Sequence, residues 1–406
     1  MSASHRTHAA DGGPDPFIPK LPPALFLFLA TLAVLGVYVW LNPSGARYFW
    51  DAKVYARAVT DWQAHRDPYT DGEGLLFVYP PLVLAAATAL SHLLPGVIGW
   101  TVFFTLHFAS VLVIPWLFAR FYFQRPWLSL PFAFLIYAAE PSYASVVALR
   151  GGNIASVVYA AAFAAAVPGI RSNRWGWFYT VVFLCGLIKP PFLLLLLFPV
   201  LAGHWWKSIA CGLLSASSYP LQQWLAPDLY RRFVIAARIQ VADHSDFGSG
   251  ILGAVATIER KLFHHPVNWF PYLVQGIVLA VIVFLLFRAR RHAVNSEALW
   301  LGCLTVAVIL ANPRLLRYDT CISLFAAFFV LVEALRIRRP LLLLGVIYFP
   351  SLLSLYVRLK SHRVDAWGTW ETIVMVAALL VGLWRLWQLS QAEVPESGRL
   401  AASSQA

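Results

Sequence analysis

The chain has 406 residues, of which 60% are hydrophobic and 12% charged, and it carries a formal net charge of +12. A soluble fold could not cover that much apolar surface with so few charges, whereas a lipid-facing surface needs no polar cover. The basic residues fall in short clusters between apolar runs, as loops on the cytoplasmic side carry them, which argues against nucleic acid as a partner.

The runs are continuous and of the length that a spanning helix needs, ~20 residues. A membrane β-barrel would instead alternate over segments of ~10 residues. The expected fold class is therefore all-α, a polytopic integral membrane protein. Cys185, Cys211, Cys303 and Cys321 lie in or beside apolar runs. They read as small buried hydrophobes, with neither metal spacing nor a disulfide framework.

Residues 1–22 are polar and rich in Gly and Pro, and read as a disordered cytoplasmic terminus. Pro23 to Leu41 is the first span. It is too long for a signal-peptide core and lacks a cleavage site, so it reads as uncleaved. Arg6 and Lys20 precede it and favour a cytoplasmic N-terminus. The loop 42–76 is then extracytoplasmic.

The stretch Arg47 to Pro81 is the most distinctive in the chain. It sets Asp51, Asp61, Asp67, Asp71 and Glu73 against Arg47, Lys53, Arg57 and Arg66, among several tyrosines and tryptophans. Val54, Ala58 and Trp62 recur at helical spacing, which predicts a short amphipathic helix at the membrane surface.

Spans follow at Phe77 to Leu94 and Val97 to Ala119, joined only by Pro95-Gly96. The next apolar runs are Pro126 to Leu149 and Gly152 to Val167, separated by Arg150-Gly151-Gly152-Asn153. Trp175 to Ala202 is interrupted by Lys189-Pro190-Pro191. Proline removes a helical hydrogen bond, so this run is either one kinked span or two that meet at Lys189. A single crossing leaves Arg171 and Arg174 outside, against the charge rule; two crossings move them inside but make the count odd.

A span at Ser208 to Leu225 leads to a second large extracytoplasmic segment, 226–268. Spans near Trp269 to Phe287, Ala298 to Ala311, Cys321 to Leu335, Leu341 to Val357 and Thr372 to Trp387 complete a single domain over 23–388. Residues 389–406 read as a disordered tail. The total is about 11 to 13 transmembrane helices of ~20 residues each.

Ionisable groups at membrane depth are costly and mark function. Lys189 is either such a group or a lysine that snorkels at a helix end. Arg150 is either functional or an interface anchor. Glu140 reads better as a helix terminator before Pro141. Arg314, in Asn312-Pro313-Arg314, offers a planar fork suited to phosphate, or else pairs with Asp319 at a helix junction. Asp51 is the sharpest candidate: a carboxylate there is either a general base or a helix N-cap.

At these residues the chain resembles glycosyltransferase family 87, polytopic enzymes of the GT-C fold related to polyprenyl-phosphate-mannose-dependent α-mannosyltransferases. The resemblance rests on Asp51, Tyr55 and Ala58, then Asp67-Pro68-Tyr69, then Phe77-Val78-Tyr79-Pro80-Pro81. Three further segments match in order: "RGGNIASVVYAAAFAAA", "GLIKPPFLLLLLFPVL" and "NPRLLRYD". Together the matches run from Asp51 to Asp319. The chain departs from the pattern at Gly152, where the family often has Gln, at Arg66, where Gly is usual, and at Pro191, one position early.

The resemblance implies a multi-pass bacterial inner-membrane enzyme with an extracytoplasmic active site. Asp51 would be the base that deprotonates an acceptor hydroxyl, with inversion at the sugar. Lys189, Arg314 and Arg150 would neutralise the donor phosphate, and Tyr55, Tyr69, Tyr79, Asn153, Tyr318 and Asp319 would line the substrate site. The donor would be a polyprenyl-phosphate hexose, most readily mannose, and the acceptor a glycolipid or glycan. No metal and no cofactor is implied, and the chain has no Asp-x-Asp. The competing reading is a lipid or solute transporter or flippase of the cell envelope. That fold class should show broken helices paired between two related halves.

Overall fold

A computed structural model describes residues 49–70, 75–122, 148, 151–240, 250–263, 269–290, 297–313, 315–337 and 368–392. The expected spans Pro23 to Leu41 and Leu341 to Val357, nearly all of Pro126 to Leu149, and residues 1–22 lie outside the described residues. So do Glu140, Arg150 and Arg314.

Among the described residues every regular element is helical, as the composition predicts. The first is α1 (Trp50–Gln63), followed by α2 (Pro81–Leu93) and α3 (Val97–Leu117), which ends in a π-helical turn at Phe118–Tyr122. Then come α4 (Ala155–Ser172) and α5 (Gly176–Ile188). A 3₁₀ segment (Pro190–Leu196) leads into the short α6 (Leu197–Leu201), and α7 (Trp205–Leu225) follows. The remainder is α8 (Pro227–Arg238), α9 (Ile251–Phe263), α10 (Phe270–Arg290), α11 (Glu297–Leu310), α12 (Arg317–Leu335) and α13 (Gly368–Ala392).

Four of the described helices are long and apolar enough to cross a membrane: α3, α4, α10 and α13. Their surfaces agree with that. On α10, Ile277, Val281 and Phe284 are exposed while Gln275 is buried, the reverse of a soluble helix. On α7, exposed Trp206 and Trp224 stand about 27 Å apart along the axis at 1.5 Å per residue, the spacing of two aromatic belts. The protein is a helical membrane protein by the length and composition of these elements.

Direction along the bundle follows from contacts. The Asp51 amide donates to the Gly151 carbonyl (3.0 Å), so α4 starts beside α1. It ends at Ser172, with Arg171 in its last turn, and α5 begins at Gly176, just beyond Arg174. The segment between Trp175 and Ala202 then doubles back. At its far end His204 Nε2 meets Asn173 Oδ1 at 2.6 Å, so both its ends lie together.

α7 climbs alongside α5 in parallel register. Tyr179 meets Ser208 (3.3 Å), Ser215 donates to the Phe183 carbonyl (3.4 Å) and Tyr219 donates to the Gly186 carbonyl (2.8 Å). The 3₁₀ segment and α6 must therefore descend between two ascending helices. The run from Trp175 to Ala202 folds back on itself as two limbs, with Lys189 at the apex. The physical reason is local: Lys189 is extended (φ −147°, ψ 124°), and the prolines after it cannot continue α5.

This places Arg171, Arg174, His204 and Lys207 at the end where Arg290 Nη2 donates to the Ala202 carbonyl (2.7 Å). The basic residues that the charge rule could not reconcile thus join Arg288 and Arg290 at one end. Asp51 and Lys189 occupy the other.

Segment 226–268, expected as a polar loop, contains two helices. α8 is amphipathic and packs Leu229, Phe233 and Ala236 into a small core with Val54, Ala58, Tyr69 and Phe77. α11, α12 and α13 form the inner part of the larger core. Gly382 approaches Cys303 and Val330 so closely that a Cβ would not fit. α13 continues to Ala392, so residues 389–392, expected in the tail, are helical, and 393–406 lie outside the described residues.

Candidate functional site

The site is built first by the entry to α1. Phe49 sits in the left-handed region (φ 53°, ψ 41°), and helical geometry begins at Trp50. Asp51 is thus inside the first turn rather than at the cap, and no side chain caps this helix. The cap alternative for Asp51 fails for that reason. Its carboxylate instead accepts a hydrogen bond from Asn153 Nδ2 at 2.9 Å.

Asn153 is oriented by a second bond. Its Oδ1 accepts from the Ala155 amide (2.9 Å) in the first turn of α4. With the oxygen so engaged, the amide nitrogen must face Asp51. Asn153, expected to touch substrate, is therefore the partner of the carboxylate, and it is 97% buried by the complement of its 3% exposure.

Gly152 makes this junction possible. It has φ +62°, and a Cβ there would lie 2.9 Å from the Phe49 ring and 3.3 Å from Ala52. Gly152→Ala combines a left-handed alanine with a clash and is expected to cost roughly 2 to 4 kcal/mol. Thermal unfolding of the purified protein in detergent checks this, and an unchanged midpoint would refute the close approach of α1 to α4.

Tyr55 lies one helical turn beyond Asp51. Its hydroxyl meets the Tyr79 hydroxyl at 2.7 Å, and the Ile154 amide points to it at 3.5 Å. The Tyr79 ring in turn lies under the Lys189 ammonium, 4.8 Å from centroid to Nζ. Cation–π attraction of this kind grows when the pair is withdrawn from water.

Tyr69 holds Tyr79 from behind, donating its hydroxyl to the Tyr79 carbonyl (3.0 Å). Burial, and then the Asp67 carboxylate, push the Tyr69 phenol up, so it remains a neutral donor. The loop charges are largely used to hold this shape. Arg57 donates to the Leu75 carbonyl (2.7 Å), Arg66 pairs with Asp61 (2.6 Å) and Arg232 of α8 approaches Asp67 (3.4 Å). The last two pairs are partly exposed and contribute little to stability.

Asp51 with Asn153, and Tyr55 with Tyr79 and Lys189, thus form two contact groups that the Ile154 amide, next to Asn153, joins at the Tyr55 hydroxyl, with Tyr69 behind them. Four separate segments supply them: α1, the approach to α2, the approach to α4, and the apex after α5. The arrangement offers a held carboxylate and a held ammonium at one end of the bundle. Between them stand two phenols that can donate or accept.

Asp319 belongs to a second polar group. It is buried at the start of α12, and its Oδ2 accepts from the Leu316 amide (3.1 Å) and Asn312 Nδ2 (3.5 Å). Tyr159 of α4, which sequence reasoning did not select, reaches both Asp319 and Asn312. The Phe192 ring packs edge-on against Tyr159 at 5.5 Å, and the Phe192 amide donates to the Lys189 carbonyl (3.1 Å). The second group therefore supports the Lys189 apex from beneath. Tyr318 falls in the first turn of α12, where only its backbone is described.

A single tyrosine in the alanine-rich "ASVVYAAAFAAA" was the available signal for Tyr159, and it is a weak one. Comparison with known proteins finds no matching family model and no matching curated protein.

Proposed function

We propose that the protein is a membrane glycosyltransferase of the GT-C kind, working on the extracytoplasmic side of a bacterial inner membrane. The donor is a polyprenyl-phosphate hexose, with mannose as the first candidate, and the acceptor is a glycolipid or lipid-linked glycan. The observation that supports this reading is the run of contacts from Asp51 to Asn153, and from the adjacent Ile154 amide through Tyr55 and Tyr79 to Lys189. It sets a base and a cation on one side of the bundle, opposite the end rich in arginine, which the charge rule assigns to the cytoplasm.

In this reading the acceptor O–H gives its proton to the Asp51 carboxylate, which Asn153 holds in place. The acceptor oxygen then forms a bond to the anomeric carbon. The bond from that carbon to the phosphate oxygen breaks, its electron pair leaves with polyprenyl phosphate, and the configuration inverts. Lys189 stabilises the charge that develops on the departing phosphate. Tyr55 and Tyr79 keep base and cation in register.

Membranes containing the protein, supplied with labelled polyprenyl-phosphate mannose, should yield a labelled lipid or glycan. A nucleotide-sugar donor should give none. If the purified protein in liposomes moved a lipid or solute and formed no glycosidic product from any polyprenyl-phosphate sugar, the transferase reading would fail and the transporter reading would replace it.

A further inference from the structure

A cavity of about 430 Å³ opens at the end of the bundle opposite Asp51. Ligand pockets commonly have volumes of about 300 to 1,000 Å³. The ends of α4, α6, α10 and α11 enclose it, and its walls include Asn173, Trp175, Phe198, Arg290, Glu297 and Trp300. Nothing in the proposed transfer reaction uses these residues.

The walls are of two kinds. Trp175, Phe198 and Trp300 are buried and apolar, while Arg290, Glu297 and Asn173 are polar. Arg290 is half-buried and donates Nη2 to the Ala202 carbonyl. Gly203 permits that approach, since it has φ +97° and its absent Cβ would stand 3.3 Å from the guanidinium. Among the described residues Arg290 has no carboxylate in ion-pair contact, and neither does Glu297 an amine or guanidinium. A guanidinium and a carboxylate thus border one cavity without neutralising each other.

A ligand with a phosphate and an ammonium group would satisfy both, phosphate toward Arg290 and ammonium toward Glu297. A purely anionic group would satisfy Arg290 and leave Glu297 unpaired. The apolar walls, and the position at a helix end crowded with Arg171, Arg174, Lys207 and Arg288, suit an acyl chain and a headgroup at the membrane surface. We propose that this cavity is a binding site for a zwitterionic aminophospholipid of the phosphatidylethanolamine type.

Native mass spectrometry of the full chain in detergent tests this, with phosphatidylethanolamine, phosphatidylglycerol, phosphatidylcholine and soluble phosphoethanolamine as probes. The wild type should retain phosphatidylethanolamine in preference to the other two lipids. Arg290→Gln should weaken that retention roughly tenfold, the size of one lost charge-assisted hydrogen bond. Glu297→Gln should abolish the preference over phosphatidylglycerol while leaving phospholipid binding in place. Glu297 is exposed and unpaired, so this variant keeps the test decisive if Arg290→Gln fails to fold. Equal retention of all three lipids, or a preference unaffected by Glu297→Gln, would overturn the proposal. Phosphoethanolamine binding as tightly as the lipid would overturn the lipid assignment in favour of a soluble ligand. None of these outcomes depends on sugar transfer, so they stand or fall apart from the proposed activity.

Discussion

Asp51→Asn should lower sugar transfer from a polyprenyl-phosphate donor by about 10³-fold, within the range of 10²- to 10⁴-fold that a general base contributes. The substitution removes the proton acceptor and preserves two hydrogen bonds that Asp51 makes with other described residues. The backbone amide still donates to the Gly151 carbonyl, because that bond does not involve the side chain. The amide oxygen of an asparagine at 51 can still accept from Asn153 Nδ2. Thermal stability should therefore shift by no more than about 1 kcal/mol, the net value of one ordinary hydrogen bond. The loss should appear in kcat, with donor KM little changed, since the carboxylate acts on the acceptor hydroxyl in the transition state. Stability and activity falling together would mean that Asp51 is structural. Full activity in the folded variant would remove the base from the mechanism.

The sequence made some parts of this arrangement readable and hid others for physical reasons. Among the described residues helix existence was legible where apolar runs were long, because lipid-facing surface imposes composition directly. The turn at Lys189-Pro190-Pro191 was legible as a break, but not as an apex. Hydropathy records how apolar a segment is and carries no direction, and direction came only from long-range contacts such as His204 with Asn173.

Asp51, Tyr55, Tyr79 and Lys189 were selected from residue type and motif order, and the fold brings them into two joined contact groups. Asn153 was selected for another role. Its part in holding Asp51 depends on a carbonyl oxygen anchored to Ala155, a detail of local geometry that residue type does not encode. Asp319 was selected by motif order, and its Oδ2 also accepts from the Leu316 amide at the start of α12 and from Asn312, local bonds that residue type does not encode. At Gly152, Phe49 and Ala52 occupy the space that a side chain would need, a close approach that residue type alone does not record.

Lys189→Met should reduce kcat by 10²- to 10³-fold, about the effect of removing one preorganised group at a developing oxyanion. Methionine keeps an apolar stem over the Tyr79 ring and removes the charge with its N–H donors. The extended backbone at 189 and the bond from the Phe192 amide to its carbonyl are independent of the side chain, so the apex should survive. The sharper test lies in the leaving group. If Lys189 neutralises the departing phosphate, its loss must matter less when the leaving group carries its own charge well. The deficit of Lys189→Met should therefore shrink with a sugar on polyprenyl pyrophosphate and be largest with the monophosphate. Lys189→Arg should fall between, because it restores the charge with a different shape and reach. A deficit of the same size for both donors would mean that Lys189 only binds or only shapes the apex. The charge stabilisation would then have to come from another cation at the same end.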